Sequence, residues 1–339
     1  MQPAADRRLP EPQQLHARAV PRARRRRDDI PAPLRDQLLL DQEAQSDRHH
    51  PQGNAGRPRP IARPRAVRRI AKYGEETVLE LYHNINSVCA QKVRMALIEK
   101  GVEAKEHLLT LRGDQFDPAY MTLNPNAVVP TLVHDGVPII ESSAILYYID
   151  EAFPGPALMP KDPKARHRVR LFNKLIDEYV HNSCTTMTFA TAFRPRLMQL
   201  TPEQREAEYA KSPSKKRAEL KRDVITHGLD SGYVLEAIDN HEKLLKMVDD
   251  SSKTWPYLAG DSYTLADAAT IPYVLRLELL KLSKLWDRYP GVATWWERIK
   301  HRPSTEQAIW SRMSDADWAP FKSIQDDPWP KVKDMLKAA

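Results

Sequence analysis

A serine and a cysteine two positions apart, Ser87 and Cys89, are the residues of this 339-residue chain that could best do chemistry together. A short apolar segment, 78–82, precedes them, and an amphipathic segment, 91–99, follows and stops at Gly101. This order predicts a strand, a turn and a helix, with the hydroxyl and the thiol where the helix begins. Unpaired N–H groups and the positive end of the helix dipole stabilise an anion there. We therefore expect the turn to favour a thiolate, either the protein's own or a ligand's.

Two later segments carry groups that suit a zwitterionic amino-acid ligand. Val129-Pro130 precedes a predicted strand, at a place where a central strand would not tolerate proline. An X-Pro bond can be cis, and the Val129 backbone would then be free to pair with an extended ligand. Glu141 and Ser142 open a predicted helix, so Glu141 can meet an ammonium group while Ser142 and the helix N–H groups meet a carboxylate.

The elements that must position these residues form one compact pattern. After the strand at 78–82 and its helix, residues 102–109 predict a second strand. Segments 131–134 and 137–140 predict two more strands, because Asp135-Gly136 between them is a strong hairpin signal. A helix is predicted over 141–153, ended by Pro154. A β-α-β unit followed by a β-β-α unit predicts an α/β sandwich.

The rest of the chain is predicted to be helical. Residues 165–180 have an amphipathic helical period, and the segments that begin at Thr201 and Thr264 start with capping boxes. Residues 205–222 are strongly charged, which indicates a solvated insert. The tryptophan pair Trp295-Trp296 is expected to pack inside this half.

Charge separates the first 72 residues from the remainder. They hold 16 Arg and one Lys against eight acidic residues, whereas the whole chain has a net charge of +7, so the remainder is close to neutral. Residues 1–75 have no sustained helical or strand period, and we predict a disordered Arg/Pro-rich extension without a role in the chemistry.

A secretory signal is not expected because no apolar stretch follows the basic residues, and acidic residues argue against a transit peptide. Tyr73 is the only aromatic residue of the extension, too few to stack on interleaved bases, so nucleic acid is not an expected partner.

The number of cysteines indicates the cellular compartment in which we expect the protein. Cys89 and Cys184 are the only cysteines, which excludes a disulfide framework, and no Cys/His cluster has zinc spacing. We therefore expect no metal, a reducing cytoplasm and a core position for Cys184. No apolar run approaches the roughly 18 residues of a membrane helix.

Three blocks of the sequence resemble the glutathione S-transferase family. They read LYHNINSVCAQKVRMALIEKG, NPNAVVPTLVHDG and IIESSAILYYIDEAFP. The capping box at Thr264 resembles the one that starts the central helix of that family's second domain, which extends the resemblance to about residue 312. It implies an α/β thioredoxin-like N-terminal domain over 76–155, an all-α helical C-terminal domain over 160–312 and a C-terminal tail over 313–339.

The resemblance also assigns roles to residues. It implies that the Val129–Pro130 bond is cis, that the Val129 backbone binds the cysteinyl part of glutathione, and that Glu141 and Ser142 bind its γ-glutamyl end. Ser87 falls where serine-type members keep the hydroxyl that stabilises the glutathione thiolate.

One departure from the family pattern points to a branch. Ala127 stands where the family usually has glycine. Together with the Ser-x-Cys pair, this alanine resembles the zeta-type and reductive-dehalogenase branch. There the serine activates glutathione, and in the dehalogenase the cysteine attacks a glutathionyl intermediate and leaves as a mixed disulfide.

The resemblance places the second substrate between the two halves, against the first long helix of the second. Four residues of that helix are candidates to line this acceptor pocket: Tyr179, His181, Asn182 and Thr185. At most half of them are expected to face it. A single histidine on a helix is more often solvated or structural than a base, and no feature identifies the acceptor.

We predict a cytoplasmic, homodimeric glutathione transferase in which a thiolate held by Ser87 attacks or isomerises a small electrophile, with Cys89 needed for reductive removal of a group. One alternative is a glutaredoxin-like thiol oxidoreductase, and another is a non-catalytic binding protein with the same fold. The residues themselves also allow simpler roles, in which Ser87 is only a helix cap and Cys89 is an inert packed thiol.

Overall fold

The computed structural model describes residues 71–72, 75–76, 78–212 and 214–338. The prediction of a disordered extension over 1–75 lies outside these residues, apart from two short strands. β1 (Ala71–Lys72) and β2 (Glu75–Glu76) pair with each other in an antiparallel ladder.

A four-stranded mixed sheet forms the first half. Its strands are β3 (Leu79–His83), β4 (Lys105–Leu108), β5 (Thr131–His134) and β6 (Val137–Ile139). Their order in the sheet is β4-β3-β5-β6, with β3 parallel to β4 and antiparallel to β5, and with β5 antiparallel to β6. The predicted β-α-β and β-β-α units are confirmed.

Helix α1 (Val88–Lys100) makes the parallel crossover between β3 and β4. It begins three residues earlier than predicted, because Ser87 caps it by accepting a hydrogen bond from the Ala90 N–H. It ends at Gly101, whose φ of 66° is a left-handed conformation that glycine adopts without steric cost. The strand predicted over 102–109 is shorter, since only Lys105–Leu108 pairs with β3.

Three further helical segments complete the first half. They are a 3₁₀ turn at Asp114–Phe116, α2 (Pro118–Leu123) and α3 (Ser142–Ala152). Helices α1 and α3 pack together, and the sheet contributes Leu81 and Leu132 to the same buried cluster. Burial of these apolar side chains is what holds the helices against the sheet.

The second half is all-helical. Its helices are α4 (Pro163–Leu175), α5 (His181–Ala190), α6 (Arg194–Met198), α7 (Pro202–Ala210), α8 (Lys215–His227), α9 (Tyr233–Ser252), α10 (Leu265–Leu279), α11 (Pro290–Ile299), α12 (Pro303–Ala308), α13 (Asp315–Lys322) and α14 (Trp329–Ala338). Short 3₁₀ turns lie at Gly228–Asp230, Ser283–Trp286 and Trp310–Arg312. The α/β half followed by a helical half confirms the predicted fold class.

The helix predicted over 165–180 is longer than expected. Helix α4 passes through a π-helical segment, Ile176–Val180, directly into α5. A π segment places an extra residue in the helical turn. The side chains that follow it therefore face a different side of the helix than they would in an unbroken α-helix. Such segments are frequent at functional sites. His181 is the first residue after this segment.

Two segments are more ordered than the sequence indicated. The charged insert predicted over 205–222 is only partly solvated, because its Tyr209 is buried in a small cluster with Leu197 and Ile225, which flank the insert. The predicted tail, 313–339, contains α13 and α14, and Phe321 and Val332 are buried in the main core. Neither segment had the continuous apolar stripe that would have predicted its packing.

In the part of the chain that the structure describes, no helix is both long enough and apolar enough to cross a membrane. Over the same residues, no group of three or more His, Cys, Asp or Glu side chains could hold a metal ion.

The capping box of α10 is buried. The Asp267 carboxylate accepts hydrogen bonds from the Thr264 N–H at 2.9 Å, the Leu258 N–H at 3.0 Å and the Trp295 indole N–H at 2.9 Å. The carboxylate thus joins the start of α10, the preceding loop and α11. The Thr201 box of α7 has the same local geometry with Gln204 in place of Asp267, but it is exposed.

We expect Asp267→Ala to lower the free energy of unfolding by roughly 3 kcal/mol, because it leaves buried donors without an acceptor. The matched change Gln204→Ala should cost about 0.5 kcal/mol, since water can satisfy the exposed groups. Urea unfolding of both variants checks the difference, and equal losses would contradict the role of burial.

Candidate active site

The turn that leads into Ser87 and Cys89 is held by two buried arginines. Arg94, on α1, donates hydrogen bonds to the backbone oxygens of Asn84 at 3.2 Å and of Ile85 at 3.0 Å. Arg276, on α10, donates to the backbone oxygen of Asn86 at 2.6 Å. Three consecutive carbonyl groups thus receive charged donors, which are the stronger kind of hydrogen bond. The residues that follow, from Ser87 onward, start from a fixed position.

Ser87 is the N-cap of α1. Its Oγ accepts a hydrogen bond from the Ala90 N–H at 3.3 Å, and the side chain is half-buried. A hydroxyl has two acceptor lone pairs and one proton, so the cap leaves that proton available for donation. The geometry therefore combines the simple capping role with the capacity to donate to a bound thiolate.

Cys89 lies two residues further on and meets the helical half. Its Sγ is 3.5 Å from Nδ1 of His181 and 3.8 Å from the hydroxyl oxygen of Tyr273. Nδ1 of His181 is also 3.3 Å from that hydroxyl oxygen. The three polar atoms thus form one mutual contact between α1, α5 and α10.

The surroundings of Cys89 favour its ionised form. Burial acts to raise the pKa of the thiol, but the nearby His181, Lys92 and a hydrogen bond with Ser142 outweigh it and lower the pKa to about 6. The same contact raises the pKa of His181, with the Cys89 thiolate as the main cause. The second thiol behaves in the opposite way, because burial raises the pKa of Cys184 to about 11. Cys184 is in the core, as predicted.

One turn along α1 from Cys89, the buried Lys92 forms an ion pair with the exposed Asp177. Lys92 Nζ donates to Ser143 Oγ at 2.9 Å and lies 3.3 Å from Asp177 Oδ1. Ser143 also donates to the Asp177 carboxylate, at 2.8 Å. The lysine is fully buried, so these partners are what make its charge tolerable there. The network ties α1 and α3 to the π segment that precedes His181.

The residues predicted to bind glutathione lie along one edge of the first half. The Val129–Pro130 bond is cis, which confirms that expectation. Val129 is buried and stands two residues before Thr131, the first residue of β5 that pairs with β3. Ala127 keeps a left-handed backbone, with a φ of 51°, at the position where the family usually has glycine.

Glu141 and Ser142 stand at the start of α3. Glu141 is exposed and has a φ of 66°, a conformation that is costly for a residue with a side chain. Its Oε1 lies 3.4 Å from Nδ2 of Asn126, and it makes no side-chain cap of α3. The carboxylate is therefore not used as a helix cap. Ser142 is half-buried and is the first residue of the helix.

One of the four acceptor-pocket candidates lies against the Cys89 thiol. His181 contacts Cys89, whereas Tyr179 and Asn182 are exposed. Lys243 lies 5.8 Å from the centre of the Tyr179 ring, on α9. The Thr185 hydroxyl donates to the backbone oxygen of His181 at 3.1 Å.

Sequence reasoning missed four residues of this region: Lys92, Asp177, Tyr273 and Arg276. Lys92 had a usable signal, because a residue three positions after Cys89 lies on the same face of the helix. No sequence signal marked Tyr273 and Arg276 as site residues, because they stand in an apolar helix whose pattern is typical of a buried core.

The chain was compared with known proteins. Residues 86–152 match the family description "Glutathione S-transferase, N-terminal domain", and residues 186–303 match "Glutathione S-transferase, C-terminal domain". Maleylacetoacetate isomerase from Rattus norvegicus is 31% identical over 206 residues, which cover 60% of this chain and 80% of the relative. The chain belongs to the glutathione S-transferase family. Family membership makes it one of a group of enzymes that use glutathione as co-substrate.

Two further comparisons agree with this assignment. Tetrachloro-P-hydroquinone reductive dehalogenase from Sphingobium chlorophenolicum is 27% identical over 239 residues, which cover 68% of this chain and 95% of the relative. The crystal structure of beta-etherase LigF from Sphingobium sp. strain SYK-6 has a TM-score of 0.62 and 23% identity, and covers 70% of this chain and 100% of that one. At that identity the structural likeness shows the fold alone. The predicted resemblance to the glutathione S-transferase family is confirmed, and the relatives include both enzyme types of the predicted branch.

We expect Arg276→Met to loosen the turn before Ser87, because the Asn86 carbonyl then loses a charged donor. The free energy of unfolding should fall by about 2 kcal/mol. Amide hydrogen exchange at residues 86–90 should accelerate, and mass spectrometry can measure it. Arg298→Met is the matched control, since Arg298 also donates to a carbonyl, that of Pro256, but is exposed and belongs to α11. Unchanged exchange at residues 86–90 in Arg276→Met would contradict this role.

Proposed function

We propose that this protein binds glutathione at the start of α1 and uses its thiolate, held by the Ser87 hydroxyl, to attack or isomerise a small electrophile. The observation that carries the proposal is the position of Ser87, a half-buried N-cap on a rigidly held turn with a hydroxyl proton to donate. The start of a helix supplies unpaired N–H groups and a positive dipole end to the same anion.

The energy required is within reach of these groups. A thiol with a pKa of about 8.5 is only a few per cent ionised at neutral pH, and lowering that pKa by two units takes about 2.7 kcal/mol. One charge-assisted hydrogen bond from Ser87 supplies about 1.5–3 kcal/mol. The helix start adds about 0.3–1 kcal/mol. Together they suffice without a metal ion.

The remaining predicted residues supply the rest of the glutathione site. The Val129 backbone, beside Pro130, would pair with the cysteinyl part of the ligand. Ser142 and the first N–H groups of α3 would bind the γ-glutamyl carboxylate, and Glu141 would bind the ammonium group. The strained backbone and exposed carboxylate of Glu141 support this role, because such outliers cluster where a ligand is bound.

The larger organisation follows from the same proposal. Residues 76–155 would form the glutathione-binding domain and residues 160–312 the domain that holds the electrophile, in a cytoplasmic homodimer. The electrophile would lie between the halves near His181, with Tyr179, Asn182 and Thr185 as further candidates. The relatives named maleylacetoacetate isomerase and tetrachloro-P-hydroquinone reductive dehalogenase support an isomerase-type or dehalogenase-type substrate.

A second function, reductive removal of a group, is favoured by the contact between Cys89 and His181. The Cys89 thiolate would attack the sulfur of a glutathionyl adduct, R–SG. The carbon–sulfur bond breaks, its electron pair leaves with R, and R takes up a proton. Cys89 is left in a mixed disulfide with glutathione. A second glutathione thiolate then releases glutathione disulfide and restores the Cys89 thiolate.

We expect Ser87→Ala to lower conjugation of glutathione to a model electrophile such as 1-chloro-2,4-dinitrobenzene by about 100-fold, because the thiolate loses a charge-assisted hydrogen bond. Cys89→Ser should leave that conjugation within about twofold. The same Cys89 variant should stop reductive removal and let glutathionyl adducts accumulate, which mass spectrometry detects.

The control separates chemistry from capping. Ser214 is the N-cap of α8 and accepts from the Arg217 N–H at the same 3.3 Å distance, so Ser214→Ala removes an equivalent cap elsewhere. It should match Ser87→Ala in stability loss, about 1 kcal/mol, and retain activity. Full conjugation by Ser87→Ala would refute the proposed role. Exchange activity that depends on Cys89 with no conjugation would favour a glutaredoxin-like enzyme, and glutathione binding with no turnover on an electrophile panel would favour a binding protein.

We expect Glu141→Gln to weaken glutathione binding about tenfold, because the ammonium group loses a charged partner. Titration calorimetry measures the affinity directly. Glu151→Gln is the matched control, since Glu151 is an exposed carboxylate at the other end of α3. Equal affinity in the two variants would remove Glu141 from the site.

A further inference from the structure

We propose that His83, Glu106 and Arg312 are positioning residues for the reaction of the proposed function. Arg312 binds the Glu106 carboxylate, and that carboxylate faces His83. His83 in turn accepts a hydrogen bond from Arg94, the arginine that holds the turn before Ser87. We call these four side chains, from Arg312 to Arg94, the polar chain. Its role rests on the proposed function, but the contacts that carry it lie within this protein.

His83 stands in a row of buried apolar side chains. β3 alternates with a period of two, and Leu79, Leu81 and His83 are its three buried residues. Both leucines belong to the main core, and the His83 side chain is 0% exposed. A third apolar residue would satisfy the strand pattern without needing a polar partner. A buried ring with two nitrogens needs such partners, so its contacts should show what it does.

Arg94 is the inner partner of His83. Its Nη1 lies 2.9 Å from Nδ1 of His83. The same guanidinium donates from Nε to the backbone oxygen of Ala308 at 2.9 Å, besides the carbonyls of Asn84 and Ile85. Nδ1 is the side-chain acceptor in this set, and the other three acceptors are backbone oxygens. A substitution of His83 therefore removes one acceptor of the guanidinium without altering the backbone of the turn.

The position of the His83 ring proton follows from that contact. A guanidinium has donors and no acceptor, so Nδ1 must accept and cannot carry a proton. The proton of the neutral ring is therefore on Nε2. Nε2 lies 3.3 Å from Oε2 of Glu106, on β4, in a direction that is poorly aligned for a hydrogen bond. Glu106 thus acts on the ring mainly through its charge, which favours the proton on the nitrogen that faces it.

Arg312 forms the outer end of the polar chain. Its Nη1 donates to the Glu106 carboxylate, and its Nε donates to the backbone oxygen of Gln307 at 2.8 Å. The side chains of Arg312 and Glu106 are 30% and 33% exposed, so water partly screens this pair. Burial acts to raise the pKa of the Glu106 carboxyl, but His83 and Arg312 outweigh it and lower that pKa to about 2. The carboxylate is therefore charged at neutral pH.

The polar chain connects the C-terminal segment to the turn. Ala308 accepts from Arg94 at the inner end, and Arg312 binds Glu106 at the outer end. Asp317, on α13, adds a negative charge that acts on Arg94. Loss of one link would free the guanidinium of Arg94 to turn away from the carbonyls that it holds.

Protonation of His83 would break the polar chain at its centre. A second proton occupies the lone pair of Nδ1 that accepts from Arg94, and it places two cations in contact. Burial lowers the pKa of His83, and Arg94 and Arg312 act in the same direction, whereas Glu106 opposes them. The pKa in the folded protein therefore lies below the ordinary value of 6.5. The stabilisation is complete above that value and is lost as the pH falls from it towards the pKa of the folded protein.

The first test measures the pKa of the thiol of bound glutathione on the full chain, from the ultraviolet absorbance of the thiolate. His83→Leu removes an acceptor of Arg94, so the turn and the Ser87 hydroxyl should shift. The thiol pKa should rise by about one unit, and kcat for conjugation should fall roughly fivefold at about pH 6.5. The KM for glutathione should stay within about twofold, because the residues proposed to bind the peptide lie elsewhere.

His83→Asn is the conservative variant. The asparagine side-chain oxygen can take the place of Nδ1 and accept from Arg94, but it does not take up a proton. The thiol pKa should return to within about 0.3 units of the wild-type value. The urea midpoint should also fall less between about pH 7 and about pH 5 than in the wild type, since the titrating ring is gone. An equal fall would count against a neutral His83.

His241→Leu is the matched control for a general loss of stability. His241 is a second buried histidine, 1% exposed on α9, and its Nδ1 lies 2.7 Å from the backbone oxygen of Ala237. This variant should lose stability and keep the wild-type thiol pKa. The proposal would be overturned if His83→Leu left the thiol pKa unchanged, or if His241→Leu raised it equally.

Double substitution tests the order of the links. Glu106→Gln should raise the thiol pKa by about half a unit in the wild type and have no further effect in His83→Leu, where the chain is already cut. Arg312→Met should act like Glu106→Gln. Arg222→Met, which breaks the exposed ion pair with Glu206, should leave the thiol pKa unchanged. Additive effects of Glu106→Gln and His83→Leu would be inconsistent with a single chain.

Amide hydrogen exchange decides the proposal without a ligand. Residues 86–90 should exchange faster in His83→Leu than in the wild type, and at the wild-type rate in His83→Asn and His241→Leu. If the wild type binds no glutathione, the proposed function fails, and faster exchange in His83→Leu still supports the polar chain. Exchange that His83→Leu leaves unchanged would rule the polar chain out, whether or not glutathione binds.

Discussion

Two buried guanidinium groups and three backbone carbonyls satisfy each other's hydrogen-bonding needs. The carbonyls belong to residues 84–86, at the turn before α1. Arg94 and Arg276 are 1% and 6% exposed, and a buried cation is tolerable only if its donors are paired. Burial lowers the pKa of Arg94, because the site disfavours the charge. The turn's carbonyls in turn need donors, because they lie outside the sheet and the helix. The positions of Ser87 and Cys89 both follow from this pairing, since it sets where α1 begins.

A single helix start can then serve two sulfur atoms. An α-helix turns about 100° per residue, so side chains two positions apart point to different sides. The Ser87 side chain folds back along the helix and accepts a hydrogen bond from the Ala90 N–H. The Cys89 side chain points to α5 and α10. The proposed glutathione thiolate and a Cys89 thiolate would therefore be favoured by the same dipole without competing for one place. Under the proposed function, conjugation would depend on Ser87 and reductive removal on Cys89, so the two would be separable properties of one turn.

What the sequence could predict depends on how far apart along the chain two contacting residues are. The cap at Ser87, the stop at Gly101 and the pairing of Thr264 with Asp267 are local, because the two partners of each lie within four residues, and all three were predictable. Tyr273 is 184 residues from Cys89, and Arg276 is 190 residues from Asn86. No periodicity encodes such pairs. His181 was named from its helix, but the π segment that sets its direction has no sequence signal, so its contact with Cys89 was not predictable.

The C-terminal segment belongs to this same arrangement. The Asn86 side chain donates to the backbone oxygen of Asp317 at 3.0 Å, and the Arg276 guanidinium lies 5.1 Å from the centre of the Phe321 ring. Helix α13 thus contacts both the turn and the arginine that holds it. A cation against an aromatic face is stabilised more when water is excluded, and Phe321 is 5% exposed. The segment after residue 312 is therefore part of what fixes Ser87, although it carries no nucleophile of its own, and the family resemblance in the sequence stopped just before it.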